Sequence, residues 1–292
     1  MTHGSQRVEE YQRFDFCGVV YFEMGGLWLI GIGPGNPELL TLKAVDAAKK
    51  CEFRFLEGYT AVLSADDEVK INSLIGGWEK LMRPEIENPK KLLTLAKSHN
   101  VALLIIGDPL QATTHVDLQL RCEEEGIICN IIPGISITTL IGVTGLQNYR
   151  FGRQTTMVYP FNNYIPTSPY ETILNNYNND LHSLVLFDLD PSGKGVDEQT
   201  PMKCNQAIEI MFKMKSKLAE NHDNFVDQID ENTKAVLCCN LGLSNQKITY
   251  STLEHLGNGV GWDDDVLMGC LIIPTKLHDI EDAALERWAY TE

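Results

Sequence analysis

The sequence predicts a two-domain α/β protein, with a mostly parallel sheet in the N-terminal half and a mixed sheet with flanking helices in the C-terminal half. Three observations carry this. In the first half, short apolar runs alternate with amphipathic patterns, as strands joined by crossover helices do. Three of those runs end in turns that combine glycine with polar residues (GIGPGN, GDP and PGIS). Such turns mark where the strand tips of an open sheet meet ligands. In the second half, the strands sit beside hairpin-like turns, which suits a mixed sheet.

Residues 1–23 contain Arg7, Glu9, Glu10, Arg13 and Asp15 and no continuous apolar core. They read as an N-terminal extension, not as a signal peptide. The globular pattern starts near Met24. The expected N-terminal domain covers 24–132 and the C-terminal domain 133–292.

Residues 27–32 read as the first buried strand, entering a loop where Gly31, Gly33 and Gly35 alternate. Asn36 stands where a dinucleotide fingerprint needs glycine, and Pro34 and Pro37 delay the helix. The loop is therefore a ligand wall without a phosphate cradle, or a plain tight turn. Thr41 is the expected N-cap of a helix over 42–51. A short strand follows at 52–56, then a helix or irregular segment over 66–75 and a helix over 89–99.

Residues 101–106 (VALLII) form the expected central strand, buried on both faces. Gly107 stops it and Pro109 forbids direct entry into a helix, so Asp108 sits on a sharp turn at the strand's carboxyl tip. Asp108 either grips a polar ligand or only sets the turn. A helix runs outward to Gly126. The strand at 127–132 meets a second elbow, Pro133-Gly134-Ile135-Ser136, and a small-residue helix over 138–143.

In the second half, strands are expected at 156–160, 182–188, 235–240, 246–251 and 266–274. Helices are expected at 170–178, 204–218 and 279–289. Residues 221–232 read as an acidic connecting segment.

Composition excludes several classes. The 292 residues carry a net charge of −16, which opposes binding to nucleic acid or to an anionic membrane surface. No apolar run approaches a membrane span. Eight cysteines, none in a C-x-x-C pair, fit reduced thiols in a cytoplasmic protein rather than a disulfide frame or metal site.

GDPLQATTH is more specific than any of these patterns. Together with LIGIGPGN, EGYTAVL, TGLQNYRFG, DLHSLVLFD, NQAIE and NQKI, it closely resembles the diphthine synthase family. That family comprises diphthamide-pathway methyltransferases, a branch of the tetrapyrrole methylase superfamily. The resemblance runs over 26–278 in matching order and spacing. It implies S-adenosyl-L-methionine as cofactor, folded into a cleft between the two domains, a homodimer, and translation elongation factor 2 as protein substrate. It also implies cofactor contacts from Pro34, Asp108, Gln111, Ser136, Ile137, Phe187, Cys238 and Met268.

Three positions depart from the family pattern. The second elbow is of the tetrapyrrole type, Met268 replaces a usual His, and Asn240 replaces a usual Arg. They motivate two other readings: a precorrin-type tetrapyrrole C-methyltransferase, or a cofactor-binding relative without activity. Methyl transfer from a sulfonium needs a neutral amine held in line. Tyr59 and Tyr149 are candidates to face the product cation. Thr113 and Thr114 either bond the cofactor or shape the turn. His115 has a packing or capping role as its alternative to catalysis, and the sequence singles out no catalytic base.

Overall fold

The computed structural model describes residues 25–161, 164–196, 199–221 and 228–291. The expected extension at 1–23 and much of the acidic segment at 221–232 lie outside the described residues.

The N-terminal half runs β1 (Gly26–Gly31), α1 (Leu42–Lys50), β2 (Phe53–Glu57), α2 (Ala65–Ile75), β3 (Glu79–Leu81), α3 (Arg83–Glu87), α4 (Lys90–Ala96), β4 (Asn100–Ile105), α5 (Val116–Glu124) and β5 (Ile128–Ile132). Its sheet has the order β3-β2-β4-β1-β5, and every pair is parallel. β1 and β4 are central and buried at every position. Their side chains divide between two cores by the period of two that a pleated strand imposes. Leu27, Leu29, Val101, Leu103 and Ile105 enter one. Trp28, Ile30, Ala102 and Leu104 enter the other, under α1 and α2.

The C-terminal half runs α6 (Ile137–Leu140), β6 (Thr155–Met157), α7 (Ser168–Asn178), β7 (Ser183–Phe187), α8 (Cys204–Asn221), β8 (Lys234–Cys239), β9 (Lys247–Thr252), α9 (Leu253–Gly257), β10 (Gly269–Ile273) and α10 (Asp279–Leu285). The sheet order is β6-β7-β10-β8-β9. β6 and β7 are parallel, and the other pairs antiparallel. The mixed sheet expected from sequence is therefore present.

Differences from expectation have local causes. Strand β3 and the one-turn helices α3 and α9 carry too few apolar positions to show a period; only Leu81 of β3 is buried. The last strand was expected over 266–274 but starts at Gly269. Before it, the amides of Leu267 and Met268 donate to Asn240 Oδ1 at 2.9 and 3.3 Å, so the ladder cannot extend backwards.

A buried ionic cluster fastens α10 to β7. Glu281 is fully buried and meets Arg150 and His182. Burial raises its pKa, but amide donation from Gln147 and His278, at 3.0 Å each, and His182 outweigh this and bring it to about 2. His182 Nδ1 accepts from the Thr275 amide at 3.2 Å, so its Nε2 carries the proton given to Glu281. Burial lowers the His182 pKa. Glu281→Ala strands these donors, and the expected loss is about 3–5 kcal/mol in urea unfolding at neutral pH. Because the carboxyl is depressed in the fold, the gap to wild type is full above the unfolded value of 4.5 and narrows as pH falls toward about 2.

Candidate functional site

Three strand tips of the N-terminal sheet meet without side chains between them. The Gly33 amide donates to Gly107 O at 3.2 Å, and the Gly107 amide donates to Gly33 O at 2.7 Å. A Cβ on Gly134 would lie 2.1 Å from Gly107 O, and one on Gly31 would lie 2.5 Å from Gly134 N. No side chain fits either place. Asp108 ties the turns together: Oδ1 accepts from the Leu110 amide at 2.9 Å and Oδ2 from the Gly134 amide at 3.2 Å. Its turn-setting role is therefore real, and a carboxylate that accepts once at each oxygen keeps lone pairs for a ligand.

These tips open onto a cavity of about 340 Å³ lined from both halves of the chain. That size falls within the ordinary range for small-molecule sites. All eight residues singled out from the sequence line it: Pro34, Asp108, Gln111, Ser136, Ile137, Phe187, Cys238 and Met268. Ser136 caps α6, accepting from the Thr138 amide at 3.3 Å. Thr138 in turn donates to the Gln111 side chain. Phe187 ends β7, and Cys238 lies opposite Cys270 in the β8–β10 register. The Cys270 thiol and burial push the Cys238 thiol well up, so this part of the lining stays uncharged. Met268 lies just outside the strand that was expected to carry it.

The two halves are joined beside the cavity by bonds that end on main-chain atoms or on sulfur. Asn36 Nδ2 donates to Gly242 O at 2.9 Å, the Val62 amide donates to Met268 Sδ at 3.3 Å, and the Arg83 amide donates to Gly195 O at 3.1 Å. Asn240 adopts φ +50°, a left-handed conformation that Asn tolerates. Its side chain accepts from Leu267 and Met268 and donates to Asp265 O at 3.1 Å. Asn240 thus holds the main chain at Met268 in the wall, and the Met268 sulfur has its own partner in the Val62 amide.

The remaining candidates separate clearly. Thr113 lines the cavity and donates to Pro109 O at 2.7 Å; Thr114 is exposed outside it. His115 is buried, and its Nδ1 donates to the same carbonyl at 3.1 Å. Burial lowers its pKa, so it packs as a neutral ring beneath the turn. Tyr149 is 80% exposed and bonds Gln147 away from the cavity lining, so the expectation that it faces a product cation is corrected. Tyr59 lines the cavity, but its ring already carries the Arg83 guanidinium at 5.3 Å.

Sequence reasoning did not single out Thr60, Arg83 and Glu57. Thr60 and Arg83 line the cavity, and Glu57 lies fully buried behind Thr60 at the carboxyl tip of β2. The strand-tip rule that selected Asp108 would have selected EGYT as well. Burial raises the Glu57 pKa to about 7, against the lowering effects of the Thr60 hydroxyl, the Thr60 and Tyr59 amides and Arg83.

Gly134→Ala tests the contact of the strand tips. The expected loss is about 1–3 kcal/mol in urea unfolding, with faster amide exchange at Gly33 and Gly107 than at β1 and β4 interior positions.

Residues 26–257 match the family model described as Tetrapyrrole (Corrin/Porphyrin) Methylases. The chain is similar to the diphthine synthase of Methanocaldococcus jannaschii, 36% identical over 264 residues, covering 89% of this chain and 97% of that protein. It is similar to the diphthine synthase of Methanococcus maripaludis at 34% identity over 265 residues, with the same coverage of 89% and 97%. A crystal structure of diphthine synthase aligns with a TM-score of 0.75 at 28% identity, covering 90% of this chain and 95% of that one. The chain belongs to the tetrapyrrole methylase family, in its diphthine synthase branch.

Proposed function

We propose that the protein transfers methyl groups from S-adenosyl-L-methionine to the modified histidine of translation elongation factor 2, making diphthine in diphthamide biosynthesis. The observation that carries this reading is the convergence of Pro34, Asp108, Gln111, Ser136, Ile137, Phe187, Cys238 and Met268 on one cavity in a chain of this family. In this reading the cofactor lies between an N-terminal domain over 24–132 and a C-terminal domain over 133–292. The enzyme works in the cytoplasm as a homodimer.

The lining suits such a cofactor. Asp108 and Asp188 are its carboxylates and Arg83 its guanidinium, a net negative set facing a ligand whose sulfonium is positive. Phe187, Leu186, Leu241 and Cys238 offer an apolar surface for a nucleobase. Asp108 would accept from the ligand's polar hydrogens on its remaining lone pairs, while Ser136 and Ile137 would present the first turn of α6.

When bound, the cofactor supplies an electrophilic methyl group whose leaving sulfide is neutral and needs no acid. The chain's own task is alignment: the strand tips and the joined loops would hold donor and acceptor in line, which is worth about 7–11 kcal/mol. The acceptor amine must arrive neutral, because an ammonium has no lone pair.

The elbow at Pro133-Gly134 does not favour a tetrapyrrole acceptor, since the approach of Gly107 O already demands glycine at 134. Asn240 and Met268 likewise have local structural roles, so they do not argue for an inactive relative.

The test uses labelled S-adenosyl-L-methionine and elongation factor 2 carrying the pathway's unmethylated intermediate. Label is expected in the factor, with mass spectrometry placing it on the modified histidine. Cofactor binding with no label in the factor would overturn the reading.

A further inference from the structure

Glu57 is an unusual group to bury at a strand tip. It is 0% exposed, and Oε1 has no hydrogen-bond partner among the described residues. Oε2 accepts from the Thr60 hydroxyl. Thr60 lines the cavity, and Glu57 does not. A half-satisfied buried carboxyl weakens a fold, so its placement calls for a use. Donation by Thr60 inward leaves the lone pairs of its oxygen free to accept a proton from the cavity side.

We propose that Thr60 and Glu57 form a proton relay for the methylated amine, a role that rests on the function proposed above. As the acceptor nitrogen gives up a proton, its N–H bond breaks and an O–H bond forms at Thr60 Oγ1. The proton already on Thr60 passes to Glu57 Oε2, leaving a neutral carboxylic acid. The nitrogen keeps its electron pair, which then forms the bond to the cofactor methyl, while the sulfide leaves with the pair of the broken S–C bond. Glu57 returns its proton to solvent between rounds. Thr60 touches the acceptor; Glu57 acts through it as a positioning residue and proton store.

The surroundings suit this exchange. Titratable and charged groups near Glu57 are Tyr59 on the same loop, Lys80 folded over Gly58 from β3, and Arg83 and Glu87 on α3. Tyr59 is held protonated, with burial and then Glu57 pushing its pKa to about 12. Glu57, raised to about 7 chiefly by burial, is the neighbouring group that changes charge near neutrality. A proton acceptor works best when its pKa lies near the working pH.

The full chain is assayed as wild type, Glu57→Gln, Thr60→Val and Thr60→Ser. Single-turnover label transfer to the unmethylated elongation factor 2 intermediate is followed from about pH 6 to about pH 9, with cofactor affinity measured by calorimetry. Expected is a fall of about a hundredfold in transfer rate for Glu57→Gln and Thr60→Val, with cofactor affinity within about twofold of wild type. The wild-type rate should rise through a limb near the Glu57 pKa. In Glu57→Gln that limb is lost and the rate climbs to the alkaline end. Thr60→Ser should recover at least half of what Thr60→Val loses.

Both variants keeping the wild-type rate and limb would overturn the relay while leaving the methyl-transfer reading intact. No transfer by wild type overturns both. If Glu57→Gln does not fold, the rate and profile of Thr60→Val decide.

Discussion

The structure depends on one close approach: the tips of β1, β4 and β5 touch through backbone alone. Gly31 and Gly134 stand where a methyl group would overlap a neighbouring main-chain atom, and Gly107 turns there with a left-handed φ of +87°. This contact brings the turns after three parallel strands to a single point. Around it, Asp108 spends one lone pair of each oxygen on the turns, and Ser136 spends its hydroxyl on the start of α6. The cavity is thus framed by groups already fixed before any ligand arrives, which lowers the cost of ordering on binding.

Much of this was legible in the sequence, because it follows from period and punctuation. The central strand at 101–106, its stop at Gly107 and the elbow at Pro133-Gly134 needed only an apolar run and the turn residues after it. Thr41 was expected as a cap, and its Oγ1 accepts from the Ala44 amide at 3.1 Å. The cavity residues were legible through family resemblance, not through spacing. Phe187, Cys238 and Met268 come from the second sheet, and no local pattern says which strand end of one sheet faces the other.

What was not legible has a common physical origin. Strand β3 and helix α3 are too short and too polar to generate a period, yet α3 delivers Arg83 to the cavity. Asn240 read as a departure, and only the left-handed backbone and the loop at 265–268 explain it. The two buried glutamates make the same point. Glu281 is fully partnered and strongly acidic, while Glu57 is half-partnered and weakly so. Nothing in the residue type separates them; the donors around each do.

The joints between the halves carry a further consequence for how such a protein can change over generations. Asn36 reaches the carbonyl of Gly242, and Arg83 gives its amide to the carbonyl of Gly195. Carbonyl oxygens are present whatever amino acid occupies a position. The receiving positions are nevertheless tied to glycine: φ is +82° at Gly242 and +65° at Gly195, and a Cβ there would come within 2.6 Å of Pro34 and 2.5 Å of Arg83, so the alignment of the two sheets is inherited only while both stay bare.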